Sequence, residues 1–168
     1  ETGIVPLLDE LGIASRRDDM GNVIVEVGPA DASPSVLFMG YAMTHPPASM
    51  DAPYTARILD LPDGPALRGR GVCEQKGPLA SAIWAVSNYA REPAPGGRVV
   101  LIVSTAGETG RHLAAEAALE GLGRLPELVV VAIGTGNRIG LGHKGRLDVD
   151  ITVRGRAAHS SSPWQAID

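Results

Sequence analysis

Two short polar segments of the sequence carry the side chains best suited to catalysis. The segment at 69–77, GRGVCEQKG, contains Glu74 and Lys76, and the segment STAGETG at 104–110 contains Glu108. Two carboxylates in one site can bind a divalent metal ion. Without a cation between them, like charges at close range raise one pKa, which leaves one acid and one base. The sequence therefore predicts a site built on Glu74 and Glu108, to which Lys76 adds a positive charge and Tyr41 a hydrogen-bond donor.

A third polar segment, GYAMTHPP at 40–47, follows an apolar run that reads SVLFM. Side chains alternate along an extended strand, so Tyr41, Met43 and His45 are predicted to share one face, with His45 about 7 Å further along than Met43. With Glu74 and Glu108, His45 would complete a two-carboxylate, one-histidine set suited to a single metal ion. The alternative is that His45 is a surface histidine in a His-Pro-Pro turn.

The elements that must position these segments alternate between strands and helices. Apolar runs without alternation, separated by helical patterns, predict an α/β fold with a mostly parallel sheet flanked by helices. Ligands bind such sheets beyond the carboxyl ends of the strands, where the three polar segments lie. The predicted strands are 21–28, 36–43, 98–106 and 128–134, the predicted helices are 4–13, 78–90 and 111–122, and 51–67 is predicted to be a loop that ends in a short extended piece.

The pattern changes near His143. Residues 147–157, LDVDITVRGRA, alternate as a half-exposed antiparallel strand does, and HSSSPWQAID at 159–168 has the hydroxyls and the proline that begin a helix. We therefore predict two parts, with residues 1–142 in an α/β domain and residues 143–168 in the beginning of a second domain that is cut off. Either the chain is a fragment, or a second polypeptide completes it.

The composition argues against several classes of function. The 168 residues have a formal net charge of −4 and no basic block, so neither nucleic acid nor a membrane is expected as a partner. The apolar runs have the length of strands and are too short to cross a bilayer. Cys73 is the only cysteine, which excludes an intrachain disulfide and favours a reducing, cytoplasmic compartment. Cys73 could serve as a nucleophile, but a lone cysteine is more often a small buried residue.

The order of these motifs resembles the M20 family of metallohydrolases. This family includes acetylornithine deacetylase, succinyl-diaminopimelate desuccinylase, aminoacylase and carboxypeptidase G relatives. The resemblance runs over nearly the whole chain, and GRGxxxxKG at 69–77 and GRAAHSSxP at 155–163 are its most specific motifs. It implies a zinc-exopeptidase-like catalytic domain with two zinc ions, an inserted α+β dimerisation (lid) domain, a homodimer and a small-molecule substrate.

The same resemblance shows where this sequence departs from the family. The family's metal-binding histidine corresponds to Tyr41, the aspartate beside it to Met43, the bridging aspartate to Glu74, the general base to Gly107, the ligand after the base to Glu108 and the last carboxylate to Ile133. Of these metal-ligand positions, Glu74 and Glu108 keep a carboxylate, whereas Tyr41 and Ile133 have lost the ligand. The usual two-zinc site is therefore not supported, and zinc or another divalent metal in a rebuilt site remains open.

Three further residues have roles that the resemblance implies. His159 matches the family histidine that reaches across the dimer to steady the substrate carbonyl or oxyanion. Asn137 and Arg138 lie near the hinge of the lid domain, where they would contact the substrate.

These observations predict a hydrolase of an amide bond in a small N-acyl amino acid, dipeptide or related carboxylate, with an altered or absent metal centre. One alternative is a catalytically inactive homologue that binds a ligand or a partner. Another is a lyase or isomerase that uses Glu74 and Glu108 as acid and base without a metal.

Overall fold

A five-stranded sheet organises the chain, of which the computed structural model describes residues 3–92, 96–107, 112–145, 147 and 149–167. In spatial order its strands are β1 (Arg16–Arg17), β2 (Val23–Val27), β6 (Arg98–Ser104), β3 (Ser35–Tyr41) and β7 (Leu128–Val131). Strand β3 runs parallel to β6 and β7, whereas β2 runs antiparallel to β6 and β1. The predicted α/β fold is confirmed, and its parallel part consists of the three strands that lead into the predicted site.

Helices cover both faces of this sheet, because successive residues of a buried strand point to opposite sides. On one face α1 (Ile4–Glu10) and α2 (Gly77–Ala90) pack on β2 and β6, in a core that contains Leu8, Leu79, Ile83, Val86, Val25, Leu101 and Val103. On the other face α3 (Leu113–Glu120) packs on β2, β3 and β6, in a core that contains Ile24, Leu37, Val100, Ile102 and Ala118. Each such buried aliphatic side chain stabilises the fold by about 1.5–3 kcal/mol. None of the described helices is long and apolar enough to cross a membrane.

A buried arginine ties the sheet to the loop after α3. Arg98 is 2% exposed, and its guanidinium donates to Glu26 at 2.6 Å and to the carbonyl oxygen of Arg124 at 2.9 Å. Glu26 also accepts a hydrogen bond from Arg16 at 3.1 Å. Burial by itself raises the pKa of Glu26, but the hydrogen bonds and charges of the two arginines outweigh it, so this pKa lies below its ordinary value.

Residues 57–68 form a β-hairpin, so the prediction of a loop there was wrong. Strands β4 (Arg57–Leu61) and β5 (Gly64–Arg68) pair antiparallel, with Pro62 and Asp63 between them. Gly64 has a φ of +114°, which residues with a Cβ rarely adopt, so the Pro-Asp-Gly sequence makes the reversal. Both strands are largely exposed and therefore lack the apolar pattern that marks a buried strand.

The last third of the chain differs most from expectation. The apolar strand β7 is exposed along its whole length, because it lies at the edge of the described sheet. In the described part of 147–157 no strand forms, and the segment's one pairing is a bridge between Arg156 and Ile167. Pro163–Gln165 forms a single 3₁₀ turn where a helix start was predicted. A strand without a neighbouring strand leaves its backbone NH and carbonyl groups unpaired. The alternating pattern of 147–157 alone is therefore not enough to form a strand.

Candidate functional site

Four of the positions that the sequence relates to the family lie at one edge of the sheet: Tyr41, Glu74, Gly107 and Ile133. Tyr41 is the last residue of β3, Gly107 follows β6, and Ile133 follows β7. These strands are parallel, so their carboxyl ends meet at the same edge. Glu74 reaches this edge from a π-helical turn, Val72–Lys76, directly before α2. Glu108 lies outside the described residues, so its place in the site stays a prediction.

The π-helical turn is fixed from two sides. Gly71 precedes it with a φ of +80°, and a Cβ on this residue would lie 2.9 and 3.0 Å from neighbouring side-chain atoms. Gln75 is buried, and its amide donates to the carbonyl oxygen of Met43. The backbone NH of Gly134 donates to the carbonyl oxygen of Glu74. The loops after β3 and β7 therefore both determine where Glu74 stands, as is common for π-helical insertions at functional sites.

Tyr41 binds the carboxylate of Glu74. The phenol donates a hydrogen bond to Glu74 Oε1 over 2.9 Å, from a half-buried ring to an exposed carboxylate. A phenol is a neutral donor, so it stabilises the ionised carboxylate without supplying positive charge. Tyr41, at the position predicted to correspond to a metal-binding histidine, thus contacts the carboxylate of Glu74 directly.

Gly107 packs against the ring of Tyr41. A Cβ placed on Gly107 would lie 2.2 Å from the Cγ and Cδ1 atoms of that ring, whereas carbon atoms in contact are about 3.5–4.0 Å apart. The ring therefore fills the space in which any side chain at 107 would begin. The backbone NH of Gly107 also donates to the sulfur of Met43 at 3.2 Å. Gly107 thus contacts both Tyr41 and Met43 in one corner of the site.

A cleft of about 860 Å³ lies beside Glu74. Its lining comes from the π-helical turn, the start of α2 and the loop after β7, and it includes Cys73, Ser81 and Asn137. The volume is in the range of small-molecule sites, about 300–1,000 Å³. Asn137, which the sequence indicated as a substrate contact, therefore lines the same cleft as Glu74. Ser81 was not predicted, because a serine in the first turns of a helix carries no distinguishing signal.

The strand that was predicted to align Tyr41, Met43 and His45 ends at Tyr41. His45 lies beyond it with an exposed side chain, and its backbone carbonyl oxygen accepts a hydrogen bond from Arg70 at 2.8 Å. The alternation of side chains applies only within a strand. Met43 and His45 lie beyond the end of the strand, so the alternation does not predict that their side chains share a face with Tyr41.

A metal-binding cluster is not found in the described part of the chain. No group of three or more histidine, cysteine, aspartate or glutamate side chains there could hold an ion. The predicted set of His45, Glu74 and Glu108 includes a residue outside those ranges, so it stays a prediction.

Three other predicted residues make local hydrogen bonds. Lys76 donates to the carbonyl oxygen of Ala42 at 3.0 Å, on the side of the turn away from the Glu74 cleft. Arg138 is exposed, and its carbonyl oxygen accepts from a threonine hydroxyl. His159 is exposed, with its Nδ1 2.9 Å from a serine hydroxyl of its own segment. The role predicted for His159 concerns a second subunit, so its position within one chain does not test it.

Similar sequences are found among named hydrolases. A probable carboxypeptidase of Aspergillus terreus is 30% identical over 149 residues, which cover 88% of this chain and 33% of the relative. A putative LysW-lysine/LysW-ornithine hydrolase of Aeropyrum pernix is 30% identical over 168 residues, which cover 97% of this chain and 44% of the relative. A succinyl-diaminopimelate desuccinylase of Granulibacter bethesdensis is 34% identical over 153 residues, which cover 83% of this chain and 37% of the relative. The chain thus spans between a third and just under half the length of these relatives, and no family model matches it.

Solved structures share the fold. Human carnosine dipeptidase 1 superimposes with a TM-score of 0.57 at 22% identity, covering 75% of this chain and 30% of that one. A tripeptidase from Staphylococcus aureus superimposes with a TM-score of 0.59 at 16% identity, covering 99% of this chain and 47% of that one. At these identities the likeness establishes the fold alone.

Proposed function

Because the chain is a relative of the M20 hydrolases in sequence and in fold, we propose that its protein hydrolyses an amide bond in a small N-acyl amino acid, dipeptide or related carboxylate. Its relatives are named as hydrolases, carboxypeptidases and desuccinylases. The chain spans less than half of their length, so the activity of the whole protein is part of this proposal.

The pairing of Tyr41 with Glu74 beside the 860 Å³ cleft is the observation that carries the proposal. In it Glu74 takes the proton of the attacking water, and the phenol of Tyr41 holds the carboxylate in position. Glu108 is the second carboxylate of the site. His159 of a second copy donates to the oxyanion.

Substrate binding is assigned to the loop after β7. Asn137 lines the cleft of Glu74, and Arg138 follows it in the same loop. The amide of Asn137 can bind the substrate carbonyl or carboxylate, and the guanidinium of Arg138 suits a carboxylate.

The side chains at this edge do not fit a site for two zinc ions. Zinc takes three or four nitrogen, oxygen or sulfur ligands in a fixed geometry. At the positions predicted to hold the metal, Glu74 offers a carboxylate that the phenol of Tyr41 already binds, and the side chain of Ile133 has no donor atom. We therefore infer that the metal centre is altered or absent. A single ion held by His45, Glu74 and Glu108 is the altered form that the residue types allow.

The test combines metal analysis with a substrate panel, both on the whole protein. N-acyl amino acids and dipeptides should be hydrolysed, Glu74→Gln should reduce turnover at least about a hundredfold, and Glu120→Gln, an exposed carboxylate on α3, should leave it unchanged. A panel that stays inert with and without added zinc, manganese or nickel would refute the hydrolase. Less than about a tenth of an equivalent of bound metal, with no effect of adding it, would refute the single-metal form.

A second candidate function is ligand binding without catalysis. It is favoured by the Tyr41 ring, which fills the space where a general base at 107 would begin. In that case one small carboxylate should raise the melting temperature while the whole panel stays inert. A metal-free lyase or isomerase would use the same two carboxylates, and it predicts product formation without consumption of water.

We also propose that residues 1–142 belong to the catalytic domain and residues 143–168 to a dimerisation domain. The support is the exposure of apolar side chains in the second part, where Ile151, Val153 and Trp164 are 83%, 78% and 76% exposed. Apolar surface of this kind is usually covered by another part of the chain or by a second subunit. Light scattering on the whole protein should give the mass of a homodimer, and a monomeric mass would contradict this arrangement.

A further inference from the structure

A second cavity, of about 650 Å³, opens at the same edge of the sheet. It lies between the start of α1, the turn from β1 to β2 and the ends of β3 and β6. It shares no lining residue with the Glu74 cleft, although Met43 and Lys76 on its wall belong to the strand end and the turn that position Glu74. The two cavities therefore flank the same structural unit.

The lining of this cavity includes two cations, Arg17 and Lys76, and no carboxylate. Lys76 is oriented by one hydrogen bond, to the carbonyl oxygen of Ala42, which leaves two ammonium hydrogens for a ligand. The carboxylate next to Arg17 along the chain, Asp18, is occupied by the backbone NH groups of Met20 and Asn22 and by the Asn22 amide. Neither Arg17 nor Lys76 forms an ion pair with a carboxylate among the described residues, so both cations can interact with an anionic ligand.

The other walls offer apolar surface and polar groups that already have partners. Ser104 donates to the carbonyl oxygen of Ala106, and Thr105 donates to that of Met20. The remaining lining is mainly aliphatic, with side chains from Ile4, Val5, Val23 and Val103. A ligand that matches this wall has one anionic group and a short branched apolar group.

We propose that this cavity binds the free carboxylate of an aliphatic carboxylic acid, with Arg17 and Lys76 as its cations. A planar guanidinium and an ammonium can share the two oxygens of one carboxylate, and the aliphatic wall accepts a branched side chain. This cavity is separate from the Glu74 cleft, so the acid that it binds is not required to be the substrate of the proposed hydrolase. The binding itself does not depend on turnover.

The test measures binding of three small probes to the whole protein by NMR titration. 3-Methylbutanoate should bind at least about tenfold more tightly than 3-methylbutanamide, which lacks the charge, and more tightly than acetate, which lacks the branched group. Arg17→Gln should weaken 3-methylbutanoate about fivefold, because one partly exposed cation is removed. Arg57→Gln, the same change at an exposed position of β4, is the matched control and should leave binding unchanged.

Equal affinity for the acid and the amide, no binding of any probe, or equal loss in Arg17→Gln and Arg57→Gln would each overturn the proposal. Equal affinity for acetate and 3-methylbutanoate would overturn the assignment of the apolar wall. The titration is repeated with Glu74→Gln, which should bind the acid as the unchanged protein does. An inert substrate panel together with acid binding would refute the hydrolase but support this binding site. Hydrolysis without acid binding would support the hydrolase and refute the binding site.

Discussion

The contact between Tyr41 and Gly107 makes these two positions depend on each other energetically. Gly107→Ala would place a Cβ 2.2 Å from two ring carbons, so ring and backbone would have to separate by at least about 1.3 Å. Overpacking of this kind costs about 1–3 kcal/mol. A displaced ring also loses its hydrogen bond to Glu74, worth about 1 kcal/mol at this partly exposed place. We expect Gly107→Ala to lower the free energy of unfolding by about 2–4 kcal/mol.

A double-mutant cycle with Tyr41→Ala isolates this contact. Once the ring is gone, Gly107→Ala should cost less than about 0.5 kcal/mol, because Gly107 does not require a positive φ and alanine also restricts the unfolded chain. Urea unfolding of the four proteins measures the coupling, which we expect to be about 2 kcal/mol. Gly140→Ala is the control, since a Cβ there meets no atom within 4 Å. If Gly107→Ala costs the same with and without the ring, the two positions are independent and the reasoning is refuted.

Three further predictions concern single side chains. Tyr41→Phe removes only the phenol oxygen, so kcat should fall at least about tenfold. The control is Tyr54→Phe, at a side chain that is 74% exposed, which should leave kcat unchanged. Equal kcat values in the two variants would show that Tyr41 is not part of the site. Gln75→Leu removes the buried donor to the carbonyl oxygen of Met43, so urea unfolding should show a loss of about 1–3 kcal/mol, and no loss would mean that this bond does not hold the turn. Because the pKa of Glu26 is lowered from 4.5, Glu26 stabilises the fold above that pH, and this contribution disappears as the pH falls through the lower folded-state pKa. The unchanged protein should therefore lose more stability than Glu26→Gln between pH 6 and pH 3, and parallel losses would contradict the sign of the shift.

The parts of the fold that the sequence predicted well are those with a strong local pattern. The strand predicted at 98–106 is β6 at 98–104, and the helix predicted at 78–90 is α2 at 77–90. Both are buried on the sheet, so their apolar spacing follows from their surroundings. The exposed hairpin β4–β5 has no such spacing, and its Pro-Asp-Gly turn was the available signal.

For the candidate site, too, the sequence predicted some features and missed others. The sequence predicted Glu74 and Tyr41 as site residues because glycine-bounded motifs and a strand end mark such places, and the structure joins the two by a hydrogen bond. It did not show that the ring of Tyr41 covers Gly107, because these residues are far apart in the chain and meet only through the pairing of β3 with β6. The cavity of Arg17 and Lys76 was missed for the same reason, since its two cations come from distant segments.

The packing of the Tyr41 ring on Gly107 also has an evolutionary consequence. A mutation that adds a side chain at 107 meets the ring, and a mutation that removes the ring first gives up the phenol that binds Glu74. Each single substitution at one of these positions therefore lowers stability or disturbs the site before a substitution at the other can compensate. Because most proteins are only about 5–15 kcal/mol stable, such intermediates are readily eliminated by selection. Because of this steric contact, we expect positions 41 and 107 to change together among related sequences rather than one at a time.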